Sequence, residues 1–344
     1  MSDKKYIIIG WGLAGCTLAW QFHIRRIPVT VYDNGENHSS RVAAGMINPI
    51  IFKRLTKGWK VDELMPYANI FYTEIEERLN LKLLSHRKIS RVFSSIEEQN
   101  NWASLEGDGR YNEYLNPVED LDHQFVDAPF GIGNVNSLGH LDVAKYLDES
   151  KKYMTNHLTT FIDQPFEAQM LGQSEDEFIY CEGYHISKNP LFGYIPMKPA
   201  HGDVITIRAK NLNYQDILNK NMFILPLGDD LYRIGSTYNW ELDEPVPTEE
   251  GKAELLERLE SFCSFDYEIV DHEAGIRPTV ADRRPLLGSH FAKSNLHVFN
   301  GLGTKGVSIA PYFSEQMCEY VINGKALDPE VDLKRFEKQF VKGE

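Results

Sequence analysis

The stretch that decides the fold is residues 6–15, YIIIGWGLAG. Tyr6–Ile9 form a continuous apolar run, which is typical of a strand buried on both faces of a sheet. A glycine-rich turn follows, and residues 16–24 have the composition of an apolar helix. Residues 29–32, VTVY, are typical of the next strand. Strand, helix and strand together predict a βαβ unit with parallel strands and a right-handed crossover.

The glycines of this turn have the spacing Gly10-x-Gly12-x-x-Gly15, with a strand before it and a helix after it. Gly10 permits the tight turn, Gly12 lets a pyrophosphate approach the backbone, and Gly15 lets helix and strand pack closely. The amino end of the helix, at Leu13 and Ala14, offers N–H groups to phosphate oxygens. The motif therefore predicts a dinucleotide site. The alternative is a strand–helix turn whose glycines serve packing alone.

Asp33 follows the second strand, 18 residues after Gly15. A carboxylate at this place hydrogen-bonds the ribose hydroxyls of adenosine and disfavours the extra phosphate of NADP. The motif does not separate NAD from FAD, so a later stretch bears on the cofactor. Residues 39–49, SSRVAAGMINP, are small and suited to lie along a cofactor beyond its ribose. An ordinary surface loop is the alternative for this stretch.

A second glycine-rich stretch, NGLGTKGVS at residues 300–308, precedes a predicted helix. A positive helix end and the ammonium group of Lys305 are suited to stabilise the negative N1–C2=O edge of a reduced flavin. This stretch therefore favours FAD as the dinucleotide. The alternative is a glycine-rich turn that carries an exposed lysine.

Residues 274–288, AGIRPTVADRRPLLG, place three arginines near two prolines in an acidic protein. An arginine can bind a carboxylate through two parallel hydrogen bonds. Arg277 is the candidate for this role, whereas Arg283 and Arg284 fit better as partners of nearby carboxylates. The alternative for all three is an ion pair with Asp271, Glu273 or Asp282.

The composition is that of a folded protein of about two domains, with 344 residues, 42% of them hydrophobic and 25% charged. A net charge of −14 argues against a broad phosphate-binding surface, and so against a nucleic-acid partner. No apolar run is long enough to span a membrane. The four cysteines are far apart and the histidines are unclustered, so we expect no disulfide, no metal site and a cytoplasmic location.

The middle of the chain is rich in predicted strands. Residues 204–207, 222–225 and 231–235 predict an antiparallel meander. A hairpin turn at Gly228-Asp229-Asp230 would join the last two.

Taken together, these motifs resemble the FAD-dependent oxidoreductases of the D-amino acid oxidase, glycine oxidase and sarcosine oxidase family. The resemblance rests on the stretches quoted above, on YCEGYHIS at 180–187 and on YRIGSTY at 232–238. They occur in the family's order and cover nearly the whole chain. The resemblance implies an α/β fold: a Rossmann-like FAD-binding domain of the glutathione-reductase type with an α+β antiparallel-sheet substrate domain.

The resemblance also implies domain boundaries and residue roles. It assigns residues 1–85, 138–198 and 270–344 to the FAD domain, and residues 86–137 and 199–269 to the substrate domain. The residues implied to surround the FAD are Gly10, Gly12, Leu13, Ala14, Gly15, Asp33, Ser40, Arg41, Ala44, Gly45, Met46, Gly183, Gly301, Gly303, Thr304, Lys305 and Gly306. No histidine or cysteine stands out as an attachment residue, so we expect non-covalent FAD.

In the family, the arginine of the Gly-x-Arg-Pro motif binds the substrate carboxylate, which implies this role for Arg277. Lys305 and Arg233 are the other catalytic candidates, since some amine-oxidising members carry a flavin-facing lysine on the strand of Arg233. The candidates for further substrate contacts are Tyr194, Tyr238 and His201. Two departures stand out: His201-Gly202-Asp203 where the family often has Arg/Lys-Gly-Gln/Glu, and Asp33 where it usually has glutamate.

The implied reaction is oxidation of a C–N bond in a small amine or amino acid, with hydride transfer to flavin N5 and hydrolysis of the imine. The electron acceptor is oxygen or an unknown compound. Three alternatives stay open: a tRNA-modifying enzyme that oxidises a carboxymethylamino group, an NAD(P)-linked dehydrogenase, and a flavin-binding protein without catalysis.

Overall fold

The computed structural model describes residues 4–171 and 175–343. Its strands, in chain order, are β1 Tyr6–Ile9, β2 Val29–Tyr32, β3 Met46–Ile47, β4 Ile50–Ile51, β5 Thr56–Lys57, β6 Leu84–Ser85, β7 Ile89–Val92, β8 Leu115–Glu119, β9 Ile132–Val135, β10 Gly139–Leu141, β11 Thr159–Ile162, β12 Glu177–Tyr180, β13 Ala200–Arg208, β14 Ile217–Asn219, β15 Phe223–Gly228, β16 Leu231–Gly235, β17 Glu268–Arg277, β18 Leu286–His290 and β19 Lys293–Asn300.

The helices connect these strands and cover them. They are α1 Leu13–Ile24, α2 Ser39–Val42, α3 Val61–Leu79, α4 Ile96–Glu106, α5 Val143–Thr155, α6 Glu249–Glu260, α7 Gly306–Asn323 and α8 Glu337–Gly343. Short 3-10 helices occur at Ala168–Leu171, Gly183–Lys188, Gly303–Lys305 and Leu333–Phe336. Within the described residues, no helix is long and apolar enough to cross a membrane.

A six-stranded sheet holds both ends of the chain together, in the order β11-β2-β1-β12-β19-β18. Its strands are parallel except β18, which pairs antiparallel with β19. Alternate side chains of β1 enter two different cores, as a strand buried on both faces requires. Ile8 packs with helices α1, α3, α5 and α7, whereas Ile7 and Ile9 pack with Phe192 and Phe336. The predicted βαβ unit is confirmed.

The second large sheet has eight strands in the order β17-β13-β16-β15-β14-β7-β9-β8. All its pairs are antiparallel except β14 with β7. The predicted hairpin turn is present, and Asp229 and Asp230 both have positive φ. The predicted meander order is wrong, because β16 lies between β13 and β15. After β13 the chain first passes to the far side, where β14 pairs with β7, and β15 then returns toward β13.

The domain boundaries stay a prediction, although one of them falls inside a strand. The eight-stranded sheet takes its strands from residues 89–135 and 200–277, and the predicted boundary at 270 lies within β17. This placement matters for the site, because β17 carries Arg277 at its carboxyl end, next to β13.

Glu76 offers a test of how the long helix α3 is joined to the chain that follows it. Its buried carboxylate accepts hydrogen bonds from the backbone N–H of Leu83 (2.6 Å) and Leu84 (2.8 Å), and from Lys82. Burial alone would raise the pKa of this carboxyl, but these donors outweigh it and lower the pKa below 4.5. The folded state is therefore stabilised by ionised Glu76.

We expect Glu76→Gln to lower the free energy of unfolding by about 1–3 kcal/mol at pH 7. The amide NH2 group would replace one carboxylate oxygen and would face hydrogen-bond donors of residues 82–84. The exposed neighbour in Glu77→Gln serves as the control and should cost little. Since the folded-state pKa of Glu76 is depressed, the difference in free energy of unfolding between wild type and Glu76→Gln should be largest above pH 4.5. It should shrink as the pH falls through the folded-state pKa. Urea unfolding at several pH values measures both effects. A difference that persists at low pH would contradict the account.

Candidate active site

A cavity of about 500 Å³ lies between the two large sheets. Its wall combines the glycine turn before α1, the chain around α2, the turn before α7 and one face of β13, β16 and β17. The lining includes Asp33 as well as Arg277 and Tyr238. Residues from distant parts of the sequence therefore face one cavity.

The glycine turn forms the first part of this wall. Gly10 has φ +104°, and a Cβ there would lie 2.6 Å from the carbonyl oxygen of Cys181. Gly15 does not line the cavity, because a Cβ at this position would lie 1.9 Å from the Gly10 carbonyl oxygen. Gly12, by contrast, faces the cavity, and a Cβ there would meet only Ser40, at 3.1 Å. The turn thus leaves an open space beside Gly12.

The amino end of α1 has donors directed at this space. Gly12 is the residue before the helix and caps it with no side chain. The Leu13 N–H donates to the Ser40 hydroxyl oxygen at 3.0 Å, which occupies a position that a phosphate oxygen would suit. Leu13, Ala14 and Ser40 all line the cavity, as predicted.

Asp33 lines the cavity beside this turn. Its carboxylate accepts hydrogen bonds from the N–H of Trp11 at 3.0 Å and of Gly35 at 3.2 Å. One backbone donor on each oxygen fixes the carboxylate and leaves further lone pairs for hydroxyl groups.

The chain after β2 contributes Ala44, Gly45 and Met46 to the wall, and Gly183 lies opposite. Arg41 does not take part, although the resemblance implied that it would. Its guanidinium forms an ion pair with Asp148 of α5 at 2.6 Å, on the outside of the molecule. Ser40 and Arg41 are consecutive residues of α2 and project from different sides of the helix, so that Ser40 faces the cavity and Arg41 faces α5.

The residues of the turn before α7 also differ in whether they face the cavity. Gly303, Thr304 and Gly306 line the cavity. Gly301 lies behind them with φ +70°, packed so closely that a Cβ would come within 2.7 Å of Val280. Lys305 points away from the lining.

The amine of Lys305 donates to the Asn48 carbonyl oxygen at 3.2 Å and lies close to Gly58, where a Cβ would be 2.9 Å from Nζ. Burial lowers the pKa of Lys305 to about 8. The lysine therefore ties the chain between β3 and β5 to the start of α7. A role for Lys305 beside a flavin stays a prediction.

Arg277 lies at the far end of the cavity, on the edge of β13. Its Nη1 donates to the carbonyl oxygens of Ala200 (3.3 Å) and His201 (3.1 Å). Its Nη2 donates to the Ser236 hydroxyl (2.6 Å) and to the Thr237 carbonyl oxygen (3.3 Å). All four acceptors are neutral, and burial lowers the pKa of the guanidinium.

The proposed ion-pair partners of Arg277 are engaged elsewhere. Glu273 pairs with Arg233 at 2.8 Å, and Asp282 pairs with Arg335 at 2.8 Å. Within the described residues, no carboxylate lies at ion-pair distance from Arg277. The Tyr238 ring covers the guanidinium at 4.1 Å and also lines the cavity, as predicted. This part of the cavity thus carries a partly buried positive charge with no carboxylate of the described residues at ion-pair distance, although the Asp203 carboxylate acts on it from further away, in the direction that raises its pKa.

Three predicted site residues lie outside the lining. Arg233 pairs with Glu273 on the sheet and does not reach the cavity. His201 is fully buried on the other face of β13, and only its carbonyl oxygen reaches Arg277. Tyr194 packs among aromatic rings that include His290 and Phe340. The structure therefore places these three side chains away from the cavity in which a substrate contact was expected.

The structure adds two residues that sequence reasoning missed. Ser236 lines the cavity and its hydroxyl oxygen accepts a hydrogen bond from Arg277, and Gly202 lies under the guanidinium. A Cβ at Gly202 would come within 2.3 Å of Nη2, so only glycine leaves room for Arg277. The signal for both was their position within the quoted stretches around 201–203 and 232–238.

Comparisons with known proteins identify the family. A family model described as "FAD dependent oxidoreductase" (DAO) matches residues 5–320. The chain therefore belongs to the DAO family of FAD-dependent oxidoreductases, which confirms the resemblance, the fold class and FAD as the cofactor, and disfavours the NAD(P)-linked alternative.

Solved structures that resemble the chain include a glycine oxidase from Bacillus cereus, with a TM-score of 0.79 and 15% identity over 94% of this chain and 96% of that one. An iminodiacetate oxidase from Chelativorans has a TM-score of 0.76 and 17% identity over 96% and 98%. At such identities the likeness shows the fold alone.

Curated relatives include the tRNA 5-methylaminomethyl-2-thiouridine biosynthesis bifunctional protein MnmC of Legionella pneumophila. It is 20% identical over 307 residues, which are 83% of this chain and 46% of that protein. The chain thus spans about half the length of the curated relatives it matches along most of its sequence.

The residues present fit an FAD molecule. The space beside Gly12 would be filled by a Cβ, the helix end offers N–H donors, and Asp33 offers acceptors for hydroxyl groups.

We expect Gly12→Val to give soluble protein that retains less than about a tenth of the wild-type FAD, because the side chain would fill the space that a pyrophosphate needs. Gly109→Val is the matched control, since a Cβ there meets nothing within 4 Å. Flavin released by acid and measured per chain gives the result, and release itself tests the predicted non-covalent binding. FAD content equal to wild type in Gly12→Val would put the dinucleotide elsewhere.

Proposed function

We propose that the protein oxidises the C–N bond of a small amine or amino acid that carries a carboxylate. The observation that carries this proposal is the partly buried guanidinium of Arg277 in the cavity wall, whose described hydrogen-bond acceptors are all neutral. A buried charge without a counter-ion is costly, and a carboxylate ligand would balance it. The planar guanidinium also suits the two oxygens of a carboxylate.

The cofactor assignment follows the same geometry. We propose that Gly12, Leu13 and Ser40 hold the pyrophosphate and that Asp33 holds the ribose, with Gly303 and Thr304 beside the flavin ring. When bound, FAD supplies the oxidant that removes a hydride from the carbon attached to nitrogen. The work of the chain is to hold both partners in place.

Arg277 would fix the substrate through its carboxylate, and the Tyr238 ring over the guanidinium would limit how the rest of the substrate lies. The amine has to arrive neutral, because its lone pair forms the C=N bond. No side chain is then required as an acid or base, and water hydrolyses the imine. Oxygen or another compound would reoxidise the cofactor, and a cytoplasmic location stays a prediction that rests on the cysteine pattern.

The structural neighbours support this proposal through the substrates that their names give, glycine and iminodiacetate. Both compounds combine an amine with at least one carboxylate.

A second candidate is oxidation of an amine on tRNA. Its support is the match to MnmC proteins over most of this chain. The net charge of −14 speaks against a polyanionic partner. Titration with unmodified tRNA separates the candidates: tight binding that weakens steeply with salt would favour tRNA over a small amine.

The substrate class is tested by mixing the FAD-loaded protein with amino acids and secondary amines without oxygen. We expect the visible flavin absorbance to fade with at least one amine that carries a carboxylate, and to persist with its decarboxylated analogue. Absence of fading with every amine would favour the alternative of a flavin-binding protein without catalysis. Oxygen uptake with the active amine then shows whether oxygen is the acceptor.

Arg277→Lys should lower kcat/KM for a carboxylate substrate by at least about tenfold, because lysine cannot form two parallel hydrogen bonds. FAD content should not change. Arg283→Lys is the matched control, since Arg283 is exposed in the same segment. Benzoate should perturb the flavin spectrum of wild type and of Arg283→Lys, and should fail to do so in Arg277→Ala. Equal perturbation in all three proteins would overturn the carboxylate role.

A further inference from the structure

The motif His201-Gly202-Asp203 on β13 has side chains on both faces of the sheet, as the alternation of a strand requires. Gly202 lines the cavity and lies under the Arg277 guanidinium. His201 and Asp203 are buried, 0% and 1% exposed, away from the cavity lining. The motif that departs from the family pattern therefore joins the cavity to a buried polar cluster.

Asp203 is the centre of that cluster. Its Oδ2 accepts hydrogen bonds from the hydroxyls of Thr237 and Thr248, both at 3.1 Å. Its Oδ1 accepts from the Thr248 N–H at 2.8 Å and contacts His272 Nε2 at 3.0 Å. Helix α6 packs so closely on it that a Cβ at Gly251 would lie 2.1 Å from Oδ2.

Thr237 connects this cluster to the cavity. Its hydroxyl accepts from the Asp203 N–H at 2.8 Å and donates to the Asp203 carboxylate, so the residue is held in both directions. Its carbonyl oxygen accepts from Arg277 at 3.3 Å. Its neighbours Ser236 and Tyr238 are the two side chains that contact the guanidinium from this segment, at 2.6 Å and 4.1 Å.

We name residues 236–248 the strap, because they cross the cavity end between β16 and α6. The strap is held to β13 along its length. Asn239 exchanges two backbone hydrogen bonds with His201, and His201 Nε2 lies 3.0 Å from the Val246 carbonyl oxygen. Thr237 and Thr248 are bonded to Asp203. Between these anchors, Tyr238 and Trp240 are about half exposed, at 52% and 53%.

We propose that Asp203 is a positioning residue for the anion site, acting on Arg277 through Thr237. This inference rests on the proposed function, since it assumes that Arg277 binds the substrate anion. Fixing Thr237 fixes Ser236 and Tyr238 on either side of it, and these two residues set the height and tilt of the guanidinium. Asp203 itself does not touch the substrate, because the backbone of β13 lies between them.

Thr237→Val tests the link with the least disturbance, because valine has the shape of threonine and lacks the hydroxyl. We expect the Kd for benzoate, read from the flavin spectrum, to rise roughly fivefold to tenfold, as befits the loss of buried hydrogen bonds. KM for the amine substrate should rise by a similar factor, with a smaller change in kcat. FAD content should match wild type. Thr237→Ser keeps the hydroxyl and should restore most of the affinity for benzoate.

Thr159→Val is the matched control for replacing a buried threonine. Thr159 lies on β11 and is 6% exposed, and among the residues that the structure describes its hydroxyl has no hydrogen-bond partner. It should leave the Kd for benzoate unchanged. If Thr237→Val loses FAD, Thr237→Ala can replace it, because it removes the hydroxyl without adding a methyl group. The Kd for benzoate is then compared between Thr237→Ala and wild type.

The outcomes separate this inference from the proposed function. If wild type binds benzoate and Arg277→Ala does not, the anion site stands. An unchanged Kd in Thr237→Val then overturns the positioning role alone. The positioning role is also overturned if Thr159→Val or Thr237→Ser weakens benzoate binding as much as Thr237→Val does. Loss of FAD from both Thr237→Val and Thr237→Ala overturns it as well. If wild type and Arg277→Ala bind benzoate equally, the proposed function fails first.

Discussion

The close approach of backbone to backbone at Gly10 is the constraint on which the site depends. The turn after β1 passes so near to the end of β12 that a Cβ at Gly10 would lie 2.6 Å from the Cys181 carbonyl oxygen. The first turn of α1 then packs on the Gly10 carbonyl oxygen, so closely at position 15 that only glycine fits there. Because the chain is this compact, the helix end opens toward the cavity, and Asp33 of the adjacent strand end reaches it.

The other end of the cavity is organised by charge rather than by close packing. Arg277 is held by three carbonyl oxygens and one hydroxyl, which orient the guanidinium without neutralising it. Such an arrangement is unfavourable for stability, since removing a charge from water without an ion-pair partner is costly. Local conflicts of this kind are typical of functional sites. They support the proposal that Arg277 binds an anion.

The sequence predicted the elements whose causes are local. The apolar run of β1, the glycine spacing and Asp33 each express a requirement within a few residues, and all appear where expected. Sequence reasoning failed where the direction of one side chain depends on distant partners. Arg41 turns to Asp148, 107 residues away, and Arg233 turns to Glu273 on a strand that is not its neighbour. His201 faces away from the cavity because Gly202 has to face it, a choice that strand register makes.

The distribution of cations bears on the kind of anion that this site selects. Arg41 and Arg233 lie outside the cavity lining, and each pairs with a carboxylate. Lys305 donates to a carbonyl oxygen and is not part of the lining. Among the described residues, Arg277 is therefore the arginine or lysine that lines the cavity, inside a protein with a net charge of −14. A single bidentate donor in a narrow site discriminates by shape and position, whereas a polyanion gains affinity from many exposed cations. The charge distribution therefore supports the proposal of a short carboxylate substrate, through the cations that are paired as much as through the one that is not.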